Sequence, residues 1–142
     1  MRCLLDVNVL LALFDAGHTL HSRAHQWWAS DPGRDWATCP ITQNGFLRVI
    51  SNPAYPSHLP LTDARSLLRA QITRGGHAFW PDDLSVLDET VFDHRQLLRP
   101  RQITDVYLLG LARKNGGQLV TLDRRIRHAP VLGATADNLV LL

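Results

Sequence analysis

Asp6 interrupts the apolar run LLDVNVLLAL, with the amide of Asn8 two residues further on. A carboxylate carried into a core is costly unless it is paired, hydrogen-bonded or bound to a metal. Two other aspartates fall in comparable places: Asp105 in the first turn of an expected helix, and Asp123 at the end of an expected strand. Converging carboxylates repel one another, and a divalent cation is the usual means of keeping them ionised. Asp6, Asp105 and Asp123 are therefore candidate ligands for Mg²⁺ or Mn²⁺, which take hard oxygen donors where zinc would want His or Cys. Asn8, Thr104 and Thr121 are placed to hydrogen-bond and orient those carboxylates. Asp6 and Asp105 each also have a plain structural reading as helix N-caps.

A metal so held suits phosphodiester hydrolysis, which needs an activated water and a counter-charge for the phosphoryl oxygens. Arg124, Arg125 and Arg127, with His128, follow Asp123 directly, and Arg99 and Arg101 precede Asp105. They are candidate phosphate contacts, or else ordinary surface arginines. Arg48 is read as pairing near the site or facing a partner.

Positioning these groups requires alternating strands and helices. Strands are expected at Arg2–Asp6, Trp36–Cys39, His77–Trp80, Gln118–Leu122 and Asn138–Leu142. Helices are expected at Val7–Phe14, His18–Ser30, Ile41–Ile50, Thr62–Arg74, Ser85–Phe92 and Thr104–Asn115, with Thr62 and Thr104 as caps. Gly75-Gly76 and Gly116-Gly117 close two of them. The alternation predicts one α/β domain spanning 1–142, a three-layer α/β/α sandwich around a mostly parallel sheet. Ligands bind such sheets at the carboxyl ends of the strands, where strand order reverses. Asp6 and Asp123 both lie at strand ends of that kind.

The 142 residues are 45% hydrophobic and 20% charged, which suits one globular domain with a real core. No apolar run is long enough to cross a membrane and no leader pattern is present, so a cytoplasmic protein without membrane attachment is expected. Cys3 and Cys39 lack metal or disulfide-scaffold spacing and read as buried thiols. The basic side chains are fourteen Arg against the single Lys114, and the acids twelve Asp against the single Glu89. Arg suits phosphate, although codon composition alone also favours it. His18, His21 and His25 share a helix face, but no acidic motif accompanies them, so an exposed face is preferred to a metal site.

The segments LLDVNVLLAL, PITQNGFLRVISNPAYP and RQITDVYLLGLARKNGGQLVTLDRRI together resemble the PIN domain of VapC-type toxins from bacterial toxin–antitoxin pairs. The resemblance covers nearly the whole chain. It implies a Mg²⁺- or Mn²⁺-dependent endoribonuclease that cleaves tRNA or rRNA and inhibits translation. It also implies a homodimer inhibited by a cognate VapB-type antitoxin. Asp6, Asp105 and Asp123 match three of the family's four acids. The fourth, a Glu opening the helix after the second strand, is replaced here by Gln43. An amide oxygen still accepts hydrogen bonds or touches a cation, but the cluster has one negative charge fewer. Gln43 is read as a variation within active members, with Asp82, Asp83 and Asp137 as possible compensating acids. A PIN module that binds RNA without cutting it is the alternative. Phosphoaspartate receivers and haloacid dehalogenase-type phosphatases fit less well, since each wants a late Lys and the latter a D-x-D where this chain has Asp6-Val7-Asn8.

Overall fold

The computed structural model describes residues 1–142. Five short strands form its sheet: β1 (Cys3–Leu5), β2 (Trp36–Thr38), β3 (His77–Phe79), β4 (Gln118–Thr121) and β5 (Leu139–Leu141). They are all parallel and lie in the order β3-β2-β1-β4-β5. The chain therefore winds outward from β1 to β3, then returns to place β4 on the other side of β1. Right-handed crossovers put the connections of the two halves on opposite faces. The helices α1 (Val7–Phe14), α2 (His21–Ala29), α3 (Pro40–Ile50) and α4 (Leu61–Ile72) cover one face, and α5 (Gln102–Lys114) covers the other.

Each face has its own core. Val9, Leu10, Phe46 and Ile50 pack with Leu5 and Trp36 on the first; Leu108, Leu109 and Phe92 pack with Leu4 and Leu119 on the second. β1, at the middle of the sheet, is buried on both sides, which is why Cys3-Leu4-Leu5 reads as a continuous apolar run and not an alternating one. Cys3 and Cys39 are buried free thiols, and no helix is long and apolar enough to cross a membrane.

Several expected elements differ. Ser85–Phe92 is not a helix but a series of turns ending in a bridge from Phe92 to Val131. Its side chains compete with helical bonding: Ser85 Oγ accepts from the Leu87 amide, and Asp88 Oδ1 accepts from both the amide and the hydroxyl of Thr90. Thr104 is not the cap of α5, which starts two residues earlier with Arg101 at the N-cap. Gln102 Oε1 accepts from the amides of Leu98 and Arg99, so the side chain folds back over the entry to the helix. Likewise Pro60, not Thr62, precedes the first residue of α4, and α2 begins at His21 because His18 Nδ1 closes a turn onto the Leu20 amide. The Pro53–Pro56 turn is tied to the end of α1 by Tyr55, whose hydroxyl donates to Asp15 Oδ2 at 2.6 Å.

Candidate active site

The switch point between β1 and β4 carries Asp6. Its backbone and side chain are committed to α1 as the N-cap, with Oδ1 accepting from the Val7 amide at 2.7 Å. Its other oxygen, Oδ2, accepts from Thr121 Oγ1 at 2.7 Å. The side chain is thus both a cap and a carboxylate 7% exposed at the carboxyl edge of the sheet. Burial pushes its pKa up, the bonds from Thr121 and Val7 pull it down, and the charge of Asp123 pushes it up again.

Thr121 ties three of the expected residues together. While donating to Asp6 it accepts from Asn8 Nδ2 at 3.2 Å and from the Asp123 amide at 3.1 Å. Asn8 Oδ1 in turn accepts from the Leu122 amide at 3.1 Å. Asn8 and Thr121 therefore lock the start of α1 onto the end of β4. Thr104 takes no part: it is exposed and bonds to neither carboxylate.

Asp105, half-buried in the first turn of α5, has a carboxyl pushed up to about 6, by burial first and then by the charges of Asp6 and Asp123, against the opposing pull of Arg125. Asp123 is held below the usual carboxylate range, chiefly by the side chain of Arg125, which donates through Nε to Oδ1 at 2.9 Å and through Nη2 to Oδ2 at 2.8 Å. Asp6, Asp105 and Asp123 sense one another electrostatically. No other acid is among the charges that perturb Asp6 or Asp105. Asp83 pairs instead with Lys114 at 2.9 Å, and Asp82, Glu89 and Asp137 are exposed.

The donor set is all oxygen, as a hard divalent cation requires. No three His, Cys, Asp or Glu side chains stand together as ready-made ligands, and Asp123 is turned onto Arg125. Mg²⁺ needs only one or two carboxylates when waters complete its shell. Buried Asp6 and half-buried Asp105, whose charges repel, fit that demand. The histidines on α2 do not form a competing site: His21 Nδ1 bonds to the Ala12 carbonyl at 2.7 Å and its ring lies against His25.

Asp105 and Asp123 open into a cleft of about 570 Å³ whose walls carry Arg99, Arg101, Arg125 and Arg127. Two carboxylates and four arginines in one lining suit a metal and a polyanion respectively. Arg124 is exposed beside this cleft without lining it, and Arg48 is exposed on α3 with no ion pair.

Gln43 lies in the first turn of α3, whose Gly45 sits directly against Val7, the residue after Asp6. Its Nε2 donates to Thr38 Oγ1 at 2.9 Å, and Thr38 Oγ1 lies 2.8 Å from His77 Nε2. Sequence reasoning did not single out Thr38 and His77. The available signal was a threonine at a strand end just before the helix of Gln43, but the pairing of β2 with β3 that delivers His77 was not readable from spacing.

A wholly parallel sheet with acids at its switch point is the architecture of a PIN domain; the family model of that name matches residues 3–132, and the chain belongs to that family. It is 50% identical over 143 residues to Ribonuclease VapC44 of Mycobacterium tuberculosis, covering the whole of both chains. It is also 45% identical over 121 residues to Ribonuclease VapC38 of the same organism, covering 84% of each. Among solved structures, it is similar in fold to the sarcin-ricin loop cleaving toxin VapC20 of M. tuberculosis, with a TM-score of 0.56 and 19% identity over 85% of this chain and 88% of the other. It is similar also to VapBC2 of Rickettsia felis bound to a DNA fragment from its promoter, with a TM-score of 0.58 and 15% identity over 100% and 98%.

Proposed function

We propose that the chain is a metal-dependent endoribonuclease, the toxin of a type II toxin–antitoxin pair, hydrolysing phosphodiester bonds in tRNA or rRNA and thereby inhibiting translation. The observation that carries this reading is the position of Asp105. Its carboxyl is raised to about 6 by burial and by Asp6 and Asp123, in a cleft lined also by four arginines. The full-length similarity to Ribonuclease VapC44 supports it.

Asp6 and Asp105 would hold Mg²⁺ or Mn²⁺, with Asp123 joining once it leaves Arg125. When bound, such an ion supplies Lewis-acid stabilisation of charge on the phosphoryl oxygens and eases deprotonation of the attacking water. The chain's own groups do the rest. Thr121 and Asn8 fix the Asp6 carboxylate, so it is oriented before substrate arrives. Arg99, Arg101 and Arg127 bind the RNA backbone along the cleft, and Arg125 exchanges Asp123 for a phosphate. Arg124 adds to the positive field at the rim. An RNA substrate would fit a cytoplasmic protein, and the resemblance to VapC-type toxins implies a VapB-type antitoxin and a homodimer.

The test is cleavage of a total tRNA and rRNA pool by the purified chain with Mn²⁺ or with chelator, comparing wild type with Asp105→Asn. Metal-dependent cutting that disappears in a folded Asp105→Asn variant supports the reading. Undiminished cutting by that variant overturns it, and RNA binding without cutting by the wild type establishes the non-catalytic module that Gln43 leaves as the alternative.

A further inference from the structure

Gln43 begins a short hydrogen-bond chain that runs away from the acids into the sheet. Thr38 Oγ1, wholly buried at the end of β2, has two partners: Gln43 Nε2 at 2.9 Å and His77 Nε2 at 2.8 Å. A carboxamide nitrogen only donates, so Thr38 accepts from Gln43. The hydroxyl then has one hydrogen left and one remaining partner, His77 Nε2. Its second lone pair is still free, but only an unprotonated Nε2, with the ring proton on Nδ1, gives the buried hydroxyl hydrogen an acceptor. With Nε2 of Gln43 committed to Thr38, its Oε1 is left with no donor in the protein.

Resting on the ribonuclease reading above, we propose that Thr38 and His77 are positioning residues that fix the Gln43 amide with its nitrogen committed to the sheet and its oxygen, the atom that reading needs, left free. Oriented this way, residue 43 offers the acceptor oxygen that the family's glutamate would offer, without the fourth negative charge. An amide free to flip would present its nitrogen as readily as its oxygen, and a donor offers nothing to a cation or to the hydrogen of a catalytic water.

The surroundings of His77 agree. Its ring is half-buried edge-on to Trp36, with centroids 4.6 Å apart, and the charged group facing it is Arg2, whose guanidinium donates to the Trp36 and Gly76 carbonyls and lies 3.7 Å from Asp35. Burial, and then Arg2, favour the neutral imidazole. A glutamate at position 43 would reverse every bond in the chain. A carboxylate only accepts, so the Thr38 hydrogen would turn to it, and Thr38 would then have to accept from a protonated His77 Nε2. The residue type at 43 and the protonation of His77 are thus coupled.

The experiment reads the His77 ring by long-range ¹H–¹⁵N NMR at pH 7.5 in the full-length wild type and in Gln43→Glu, alongside RNA cleavage by Thr38→Val and Thr38→Ser. The expected result is a wild-type ring protonated at Nδ1 alone, and a ring protonated at Nε2 in Gln43→Glu. In cleavage, Thr38→Val lowers kcat roughly 10- to 100-fold with KM unchanged, and Thr38→Ser restores it. A wild-type His77 carrying its proton on Nε2, a ring indifferent to Gln43→Glu, or a folded Thr38→Val with wild-type kcat overturns the proposal. If the wild type cuts no RNA, the ribonuclease reading falls, and the NMR comparison, which needs no activity, decides the chain by itself. If Thr38→Val does not fold, the Gln43→Glu ring state and the kcat of Thr38→Ser decide it.

Discussion

Arg125 holds Asp123 in a two-pronged ion pair, Nε to Oδ1 at 2.9 Å and Nη2 to Oδ2 at 2.8 Å, in the cleft that both line. The fork gives the guanidinium two roles that exclude one another: it either neutralises Asp123 or reaches a phosphate. The pair is open to solvent on the arginine side, and an exposed pair contributes only about 0.2–1 kcal/mol. Exchange for a divalent cation is therefore easy. Arg125→Ala should tighten Mn²⁺ binding by up to roughly fivefold, the ratio that such an energy allows, while weakening RNA binding. Calorimetric titration with Mn²⁺ and filter binding with RNA measure the two. Weaker Mn²⁺ binding in this variant would show that Arg125 supports the metal site instead of competing with it.

The Asp105 carboxyl, near 6 in the folded chain against an ordinary 3.8, makes stability depend on pH in a definite direction. Between those values the folded chain binds more protons than the unfolded one, so this group's cost to stability is absent below about 4, grows as the pH rises, and is complete above about 6. Asp6, raised by burial, acts in the same sense, whereas Asp123, lowered by Arg125, stabilises above the usual carboxylate range and loses that contribution as the pH falls. Partial exposure of Asp105 keeps the effect modest. Asp105→Asn should therefore raise the metal-free Tm at pH 7.5 and leave it little changed at pH 4. Mg²⁺ or Mn²⁺ should raise the wild-type Tm at pH 7.5 and much less at pH 5, where Asp105 is largely protonated. Scanning calorimetry at the three pH values, with and without metal, checks each sign.

Asp6 carries structural and chemical roles that two substitutions separate. Asp6→Ala removes the cap of α1, at a cost of about 1 kcal/mol, and leaves the buried Thr121 hydroxyl without its acceptor, for a further 1–3 kcal/mol or so. Asp6→Asn keeps one acceptor oxygen, enough for the Val7 amide or the Thr121 hydroxyl but not both. Both variants should lose metal-dependent cleavage, and Asp6→Ala, which loses both acceptors, should lose more Tm than Asp6→Asn. Equal melting temperatures would mean that the cap is dispensable.

The sequence made the parallel sheet legible because the buried strands β1 and β2 each run into a helix, and it pointed to Asp6 and Asp123 as carboxylates at strand ends and to Asp105 as one opening a helix. Asn8 and Thr121 were legible as polar groups inside apolar runs that need partners. Ser85–Phe92 misled because its apolar spacing is helical while its Ser and Asp side chains bond their own backbone. Thr104 misled because a threonine before an aspartate looks like a cap, and only the folded chain shows Gln102 reaching back over the helix entry. The engagement of Asp123 by Arg125, and the run from Gln43 through Thr38 to His77, depend on side-chain rotamers and on strand register, which residue spacing does not encode.

Gly45 is the point where α3 meets the start of α1, and it tests how closely the site depends on that contact. A Cβ added at Gly45 would stand 2.5 Å from Val7 Cγ2. Val7 is β-branched and stiff at χ1 within a helix, so it yields poorly. Gly45→Ala gains about 1 kcal/mol of helix propensity and loses about 1–3 kcal/mol to overpacking, a net destabilisation that is small. Its effect on cleavage should be larger than its effect on Tm, because the displaced residue is the one whose amide anchors the Asp6 carboxylate. Combining Gly45→Ala with Val7→Ala makes room for the added methyl, so the double variant should recover much of the cleavage that Gly45→Ala loses, with a coupling energy of about 0.5–3 kcal/mol between neighbours. Rates and melting temperatures of the two single variants and the double variant decide it: additive losses would mean that the contact between α3 and α1 does not transmit to the acids.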